Sequence, residues 1–156
     1  MSLSIRRARP DEAGLVLSLV RELAEYEKLS HEVEATEADI DAALFGSHPR
    51  LFCEIAECEG KPVGFAVWFI NFSTFSGRSG IYLEDLFVRP AQRGKGIGKA
   101  LLTAAIDTAR KAGADHFELT TGETDTEARG LYESFNLTNR EGSPDGPRML
   151  YYEIDL

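Results

Sequence analysis

Gln92-Arg93-Gly94-Lys95-Gly96-Ile97-Gly98-Lys99 is the stretch on which the fold turns. Before it, Ile81-Tyr82-Leu83 and Leu86-Phe87-Val88 make residues 81–88 read as a strand. After it, residues 97–112 read as a long helix ended by Gly113. Glycines at such a turn let the backbone approach a ligand closely. The exposed N–H groups and the dipole of the helix start form an anion site suited to phosphate. Arg93, Lys95 and Lys99 add positive charge there. Two familiar phosphate motifs fail. Counting back from Gly98-Lys99, a Walker A loop would need glycine at Arg93 and serine or threonine at Ala100. A Rossmann fingerprint would need glycine or alanine at Lys99.

Outward from this turn, residues 5–8 are short and β-compatible. Pro10-Asp11-Glu12 is expected to open a helix with the apolar stripe Leu15, Val16, Leu19, Val20 and Leu23. Thr36-Glu37-Ala38-Asp39 resembles a capping box that starts a second helix through Ile40, Leu44 and Phe45. Residues 51–57 and 63–70 read as a hairpin about the turn-like residues 58–62. Residues 71–80, rich in Ser, Gly and Phe, read as a loop. Residues 117–121 read as a strand, 126–135 as a helix, 141–147 as a turn-rich loop and 149–154 as a closing strand. A short strand over 137–140 is an option. The order β-α-α-β-β-β-α-β-α-β predicts a mixed α/β layer fold and departs from the strict alternation of a doubly wound sheet.

The 156 residues fit one domain, expected over 1–156. A chain of this size hides roughly 70% of its unfolded surface and needs no disulfide or metal to fold. Acids exceed bases, 17 − 26 = −9, so the chain lacks the basic footprint of a nucleic-acid binder. An acidic surface attracts cations, amines included, and also simply aids solubility. The longest apolar run, residues 62–70, is too short for a membrane helix of about 20 residues. No signal-peptide core precedes it. Cys53 and Cys58 sit five apart in one strand, beyond disulfide reach, so a reduced cytoplasmic setting is expected. His31, His48 and His116 are isolated, and no metal is expected.

Arg93-x-x-Gly96-x-Gly98 resembles the [Arg/Gln]-x-x-Gly-x-[Gly/Ala] signature of the GNAT N-acetyltransferase superfamily. Its position between a strand and an amphipathic helix makes the match specific. Thr126-Glu127-Ala128-Arg129-Gly130-Leu131-Tyr132-Glu133-Ser134-Phe135 resembles the superfamily's late Asn-x-x-Ala-x-x-[Phe/Leu]-Tyr helix, with Asp125 where asparagine is usual. Arg21-Glu22-Leu23-Ala24-Glu25-Tyr26-Glu27, Phe45-Gly46-Ser47-His48-Pro49 and Tyr82-Leu83-Glu84-Asp85-Leu86-Phe87-Val88 look like the diamine (spermidine/spermine) N-acetyltransferase branch, which includes relatives acting on lysine-like amino acids. Thr124-Asp125 departs from that branch's Trp-Asn.

The resemblance implies a mostly antiparallel sheet with a central, splayed parallel strand pair and flanking helices. It implies acetyl-CoA as co-substrate, with its pyrophosphate on Arg93, Gly94, Lys95, Gly96, Ile97, Gly98 and Lys99. Main-chain groups of Leu86, Phe87 and Val88 would hold the pantetheine arm and polarise the thioester carbonyl, with Asp125 and Ala128 also at the cofactor. The favoured acceptor is a polyamine or diamine. A lysine-like amino acid or a protein amine is the alternative within the class, and a non-catalytic acyl-CoA-binding module the alternative outside it. The branch implies a homodimer.

An alkyl ammonium has a pKa near 10.4 and attacks only when neutral, so a base is needed. Glu84 and Asp85 interrupt an apolar strand, where carboxylates are costly unless paired or used. Unless a bulge intervenes, adjacent strand residues face opposite ways and form no dyad. The resemblance favours Glu84 as a water-relayed base, with Asp85 as a partner; either is alternatively an edge or salt-bridge residue. Tyr132 fits the acid that protonates the leaving thiolate, or a core tyrosine beside Ala128, Leu131 and Phe135. Tyr26 and Glu27 match acceptor-site positions, or a solvated helix end. Trp68, Phe69, Phe72 and Phe75 form either an aromatic wall for an amine or plain core.

Overall fold

The computed structural model describes residues 2–138, 150 and 152–156. The chain forms two compact units, Met1–Thr120 and Thr121–Leu156. The first holds β1 (Leu3–Arg7), α1 (Ala13–Tyr26), α2 (Glu37–Phe45), β2 (Phe52–Cys58), β3 (Lys61–Ser73), β4 (Arg78–Val88), α3 (Ile97–Lys111) and β5 (Phe117–Leu119), and the second holds α4 (Thr126–Ser134). Single 3-10 turns lie at Ser30–Glu32 and Pro90–Gln92.

Helix α1 begins later than Pro10 leads one to expect. Glu12 is its N-cap residue, and the Glu12 carboxylate is occupied elsewhere. It accepts from the Arg9 N–H at 2.8 Å and from both terminal nitrogens of Arg6 at 2.7 and 2.9 Å. Arg6 holds the Glu12 carboxyl down to about 2. The expected capping box of α2 is present. Thr36 Oγ1 accepts from the Asp39 N–H at 3.2 Å, and Asp39 Oδ2 accepts from the Thr36 N–H at 2.8 Å.

The sheet runs β1-β2-β3-β4-β5, with β1 to β4 antiparallel and β4–β5 parallel. On one face, Val16 and Leu19 of α1 and Leu44 of α2 pack with Cys53, Ile55, Phe65, Val67 and Phe87. Removing a fully buried side chain such as Leu19 costs about 2–5 kcal/mol. The other face receives α3 through Ile97, Leu101, Leu102 and Ala105. Gly64 permits this approach, because a Cβ there would lie 2.6 Å from the Phe87 carbonyl oxygen and 3.4 Å from Leu101.

Two expectations are corrected. Residues 71–80 are not a loop. β3 and β4 continue through Asn71↔Gly80, Phe72↔Ser79 and Ser73↔Arg78, and the turn closes at Gly77 with φ of 69°. Ser, Gly and Phe serve a ladder whose hydrogen bonds the partner strand completes. Of the strand expected over 149–154, the described residues Leu150, Tyr152, Glu153 and Ile154 form none. Leu150, Tyr152 and Ile154 are exposed, and no described strand completes their hydrogen bonds. The loop expected over 141–147 lies outside the described residues, as do positions 139 and 140 of the short optional strand. No described helix is long and apolar enough to cross a membrane.

Candidate active site

The glycine turn is built for close approach. β4 ends at Val88, Pro90–Gln92 makes one turn, and Gly94 and Gly96 adopt φ of 75° and 80°. These are left-handed conformations that side-chain-bearing residues resist. A Cβ at either position would meet nothing within 4 Å, so the backbone there faces open space. Gly96 is the N-cap of α3, and no side chain caps that helix. Its first-turn N–H groups are therefore available to an anion. Lys95 and Lys99 are exposed, and Lys95 Nζ donates to Gln92 Oε1 at 3.0 Å. Ile97 is buried and anchors the helix start.

The Arg93 side chain meets the end of β4 and the end of α1. Its Nε donates to the Val88 carbonyl oxygen at 2.8 Å. Its guanidinium lies 4.1 Å from the centroid of the Tyr26 ring and 5.6 Å from that of Phe87.

Strand β4 splays from β5. Their pairing covers Ile81↔Phe117, Tyr82↔Glu118 and Leu83↔Leu119 and stops there. Among the described residues no strand pairs with residues 84–88 on that side. The Arg89 N–H bonds the Val63 carbonyl on the β3 side at 2.9 Å. Alternation then turns the main-chain groups of Leu86 and Val88 toward the gap. The main chain of Phe87 faces β3, and its ring is buried.

A bulge intervenes in β4. Val67 pairs with Asp85 and Trp68 with Leu83, which leaves Glu84 as the extra residue. Bulges re-aim side chains, and this one interrupts the alternation that would set Glu84 and Asp85 on opposite faces. Glu84 is exposed and Asp85 half-buried. Burial first, then the charges of Glu84 and Glu27, push the Asp85 carboxyl up to about 7. Glu27 is the C-cap residue of α1 and follows Tyr26, which is 48% exposed. The Tyr26 and Phe87 rings lie 6.4 Å apart. Tyr26, Glu27, Glu84 and Asp85 are thus brought to one place, around a carboxyl whose proton is in play near neutrality. Cys53 is buried beneath, and burial raises its thiol far above the ordinary range, with Glu54 and Asp85 adding to the effect.

The aromatic wall is not formed. Trp68 is buried and stacks on Phe52 at 4.5 Å, Phe69 stacks on Tyr82 at 5.0 Å, and Phe72 and Phe75 are exposed near the hairpin tip. Consecutive Trp68 and Phe69 face opposite ways, as the pleat requires.

In the second unit, Asp125 Oδ1 accepts from the Ala128 N–H at 3.1 Å and caps α4. Tyr132 is half-buried on the stripe of Ala128, Leu131 and Phe135.

Two features escaped sequence reading. Arg89 grips Glu22 of α1 through two hydrogen bonds, at 2.9 and 2.8 Å. His116 lies against Asp115, and its Nε2 donates to Asn71 Oδ1 at 2.9 Å, filling the space that a side chain at Gly80 would occupy. The signal for the first was an acid one helical turn before Tyr26. Nothing local marked the second. Among the described residues no group of three or more His, Cys, Asp or Glu could hold a metal ion.

A glycine turn at a helix start thus lies beside an unpaired strand segment and a bulge next to the raised Asp85 carboxyl. Residues 16–136 match the Acetyltransferase (GNAT) family, and the chain belongs to that family. It is an N-acetyltransferase acting on amines. The chain is similar to a thialysine N-epsilon-acetyltransferase of Sus scrofa, 37% identical over 90% of this chain and 89% of that one. It is also similar to a spermidine/spermine N(1)-acetyltransferase-like protein of Homo sapiens, 36% identical over 63% of this chain and 15% of that one. In fold it is similar to an aminoglycoside acetyltransferase from an uncultured soil metagenomic sample, crystallised with sisomicin. The TM-score is 0.79 at 20% identity, over 98% of this chain and 97% of that one.

Proposed function

We propose that the protein moves an acetyl group from acetyl-CoA to the primary amine of a small cation, on a polyamine, a diamine or a lysine-like amino acid. The observation that carries this reading is the carboxyl cluster of Asp85, Glu84 and Glu27, placed on and beside β4 immediately before Leu86 and Val88. The names of the relatives support an amine acceptor and weigh toward the lysine-like class.

The glycine turn fits the proposed co-substrate. Its N–H groups at Gly94, Gly96, Ile97 and Gly98 and the exposed Lys95 and Lys99 suit a pyrophosphate. The main-chain groups of Leu86 and the N–H of Val88, whose carbonyl is taken by Arg93, suit an amide-bearing arm and a carbonyl oxygen that gains negative charge. Acetyl-CoA supplies, when bound, an acyl group activated as a thioester.

The carboxylates of Glu27 and Glu84 hold the ammonium beside Asp85. Proton transfer from an ammonium near 10.4 to an ordinary carboxylate near 4.3 climbs about 6 pK units, or roughly 8 kcal/mol. Transfer to Asp85 at about 7 climbs roughly half as far. Asp85 therefore suits the role of base, directly or through water, with Glu84 beside it. Tyr132 keeps its proposed part as the acid for the thiolate, on the strength of its motif. Residues 1–156 act as one catalytic domain. The free, buried Cys53 and Cys58 support a reduced, cytoplasmic setting. A homodimer is proposed from the branch and is checked by light scattering.

The test is CoA thiol release from acetyl-CoA with spermidine, spermine, putrescine, lysine, thialysine and a basic peptide. Release with the small amines but not the peptide supports the reading. Release with lysine or thialysine alone assigns the lysine-like class, and with polyamines alone the polyamine class. Silence with every amine, while acetyl-CoA still binds, overturns the small-amine assignment.

A further inference from the structure

The glycine-turn motif opens on Arg93, and its sequence position points that residue at the co-substrate. Its side chain is used elsewhere. Nε is committed to the Val88 carbonyl at 2.8 Å, and the guanidinium lies flat against acceptor-side rings, 4.1 Å from Tyr26 and 5.6 Å from Phe87. Helix α1 has no basic residue in its last turn, and Arg93 brings a cation to the Tyr26 ring at that helix end. Tyr26 is half in solvent and ends the helix, and Glu27 follows it. Without Arg93, only its 6.4 Å contact with Phe87 would hold the Tyr26 ring among the ring contacts of the described residues.

We propose that Arg93 is a positioning residue for the amine, which holds Tyr26 and hence Glu27 over Asp85 and ties the glycine turn to the acceptor site. This rests on the amine reading above. The guanidinium–ring contact is partly desolvated, which puts its effect at the upper end of the usual range for such pairs.

Three measurements test it. In Arg93→Gln the amine KM is expected to rise about tenfold, with kcat lowered less and the acetyl-CoA Kd, by calorimetry, changed by less than about twofold. Arg93→Lys keeps a cation and is expected to recover part of the loss. Tyr26→Leu is expected to raise the amine KM similarly, and the double variant Tyr26→Leu/Arg93→Gln to be no worse than the worse single one, in KM and in thermal unfolding of the free protein. A rise in acetyl-CoA Kd of more than about fivefold with the amine KM unchanged makes Arg93 a co-substrate ligand and overturns the proposal. So does full additivity of the two substitutions in KM or in unfolding. If the unaltered enzyme acetylates no amine, the functional reading fails, while the calorimetric and unfolding arms still judge Arg93.

Discussion

Arg89 holds Glu22 by a paired hydrogen bond, Nε to Oε2 at 2.9 Å and Nη2 to Oε1 at 2.8 Å, between residues 67 apart in the chain. The same guanidinium donates to the Pro62 carbonyl at 2.7 Å. Arg89 therefore pins α1 to the end of β4 and to the β2–β3 turn at once. Tyr26 lies one helical turn beyond Glu22, on the same face. The pair sets where the acceptor-side residues arrive. Both side chains are half-exposed, so the bridge itself contributes about 1 kcal/mol. Glu22→Gln is expected to lower stability by that amount in urea unfolding and to raise the amine KM several-fold, with the acetyl-CoA Kd unchanged.

In the proposed reaction Asp85 controls the pH dependence. The activity limb of kcat/KM for the amine is expected to rise through about pH 7 and to vanish in Asp85→Asn, with kcat down about a hundredfold or more. A surviving limb in that variant, with loss of it in Glu84→Gln, would return the base role to Glu84.

Stability carries the same signature with a definite sign. The folded carboxyl titrates at about 7 and the free one at 3.8, so the folded state binds the extra proton between those values. Stability from this group therefore falls as pH rises from about 4 to about 7. Asp85→Asn is expected to stabilise the protein by about 2–4 kcal/mol at pH of about 8 and to be near neutral at about 4. Urea unfolding at the two pH values checks it.

Gly96 occupies φ of 80° with nothing in reach of an added Cβ. Gly96→Ala therefore costs only backbone conformation, about 1–2 kcal/mol. It should also weaken acetyl-CoA binding, because the N-terminal N–H groups of α3 turn with that residue. Calorimetry and thermal unfolding of the same variant separate the two effects.

Tyr132→Phe is expected to lower turnover about a hundredfold while acetyl-CoA binding survives. Unchanged turnover would remove Tyr132 from the acid role and leave it a packed helix residue.

Periodicity and punctuation made most elements readable. The stripe of Leu15, Val16, Leu19, Val20 and Leu23, the Thr36–Asp39 box and the helix over Ile97–Lys111 all stand in the structure. The hairpin tip was not readable, since Ser, Gly and Phe over 71–80 look like loop until Asn71 meets Gly80 across the ladder. The late helix was legible, but the capping use of the Asp125 carboxylate was not assigned. Glu84 and Asp85 stood out as acids in an apolar strand. That Asp85 is half-buried while Glu84 is exposed was not legible without the bulge opposite Val67 and Trp68 of the neighbouring strand.

Local chemistry alone determined that this chain has a glycine turn between strand and helix, and with it the acetyltransferase family. Left-handed backbone at Gly94 and Gly96 and open N–H groups at a helix start are properties of adjacent residues. Tertiary structure alone decided that Arg93 lies on Tyr26, that Asp85 is half-buried within the fields of Glu84 and Glu27, and that Arg89 reaches Glu22. Side-chain direction, desolvation and charge proximity depend on which distant segments the sheet and α1 bring together. Spacing along the chain does not encode these distances.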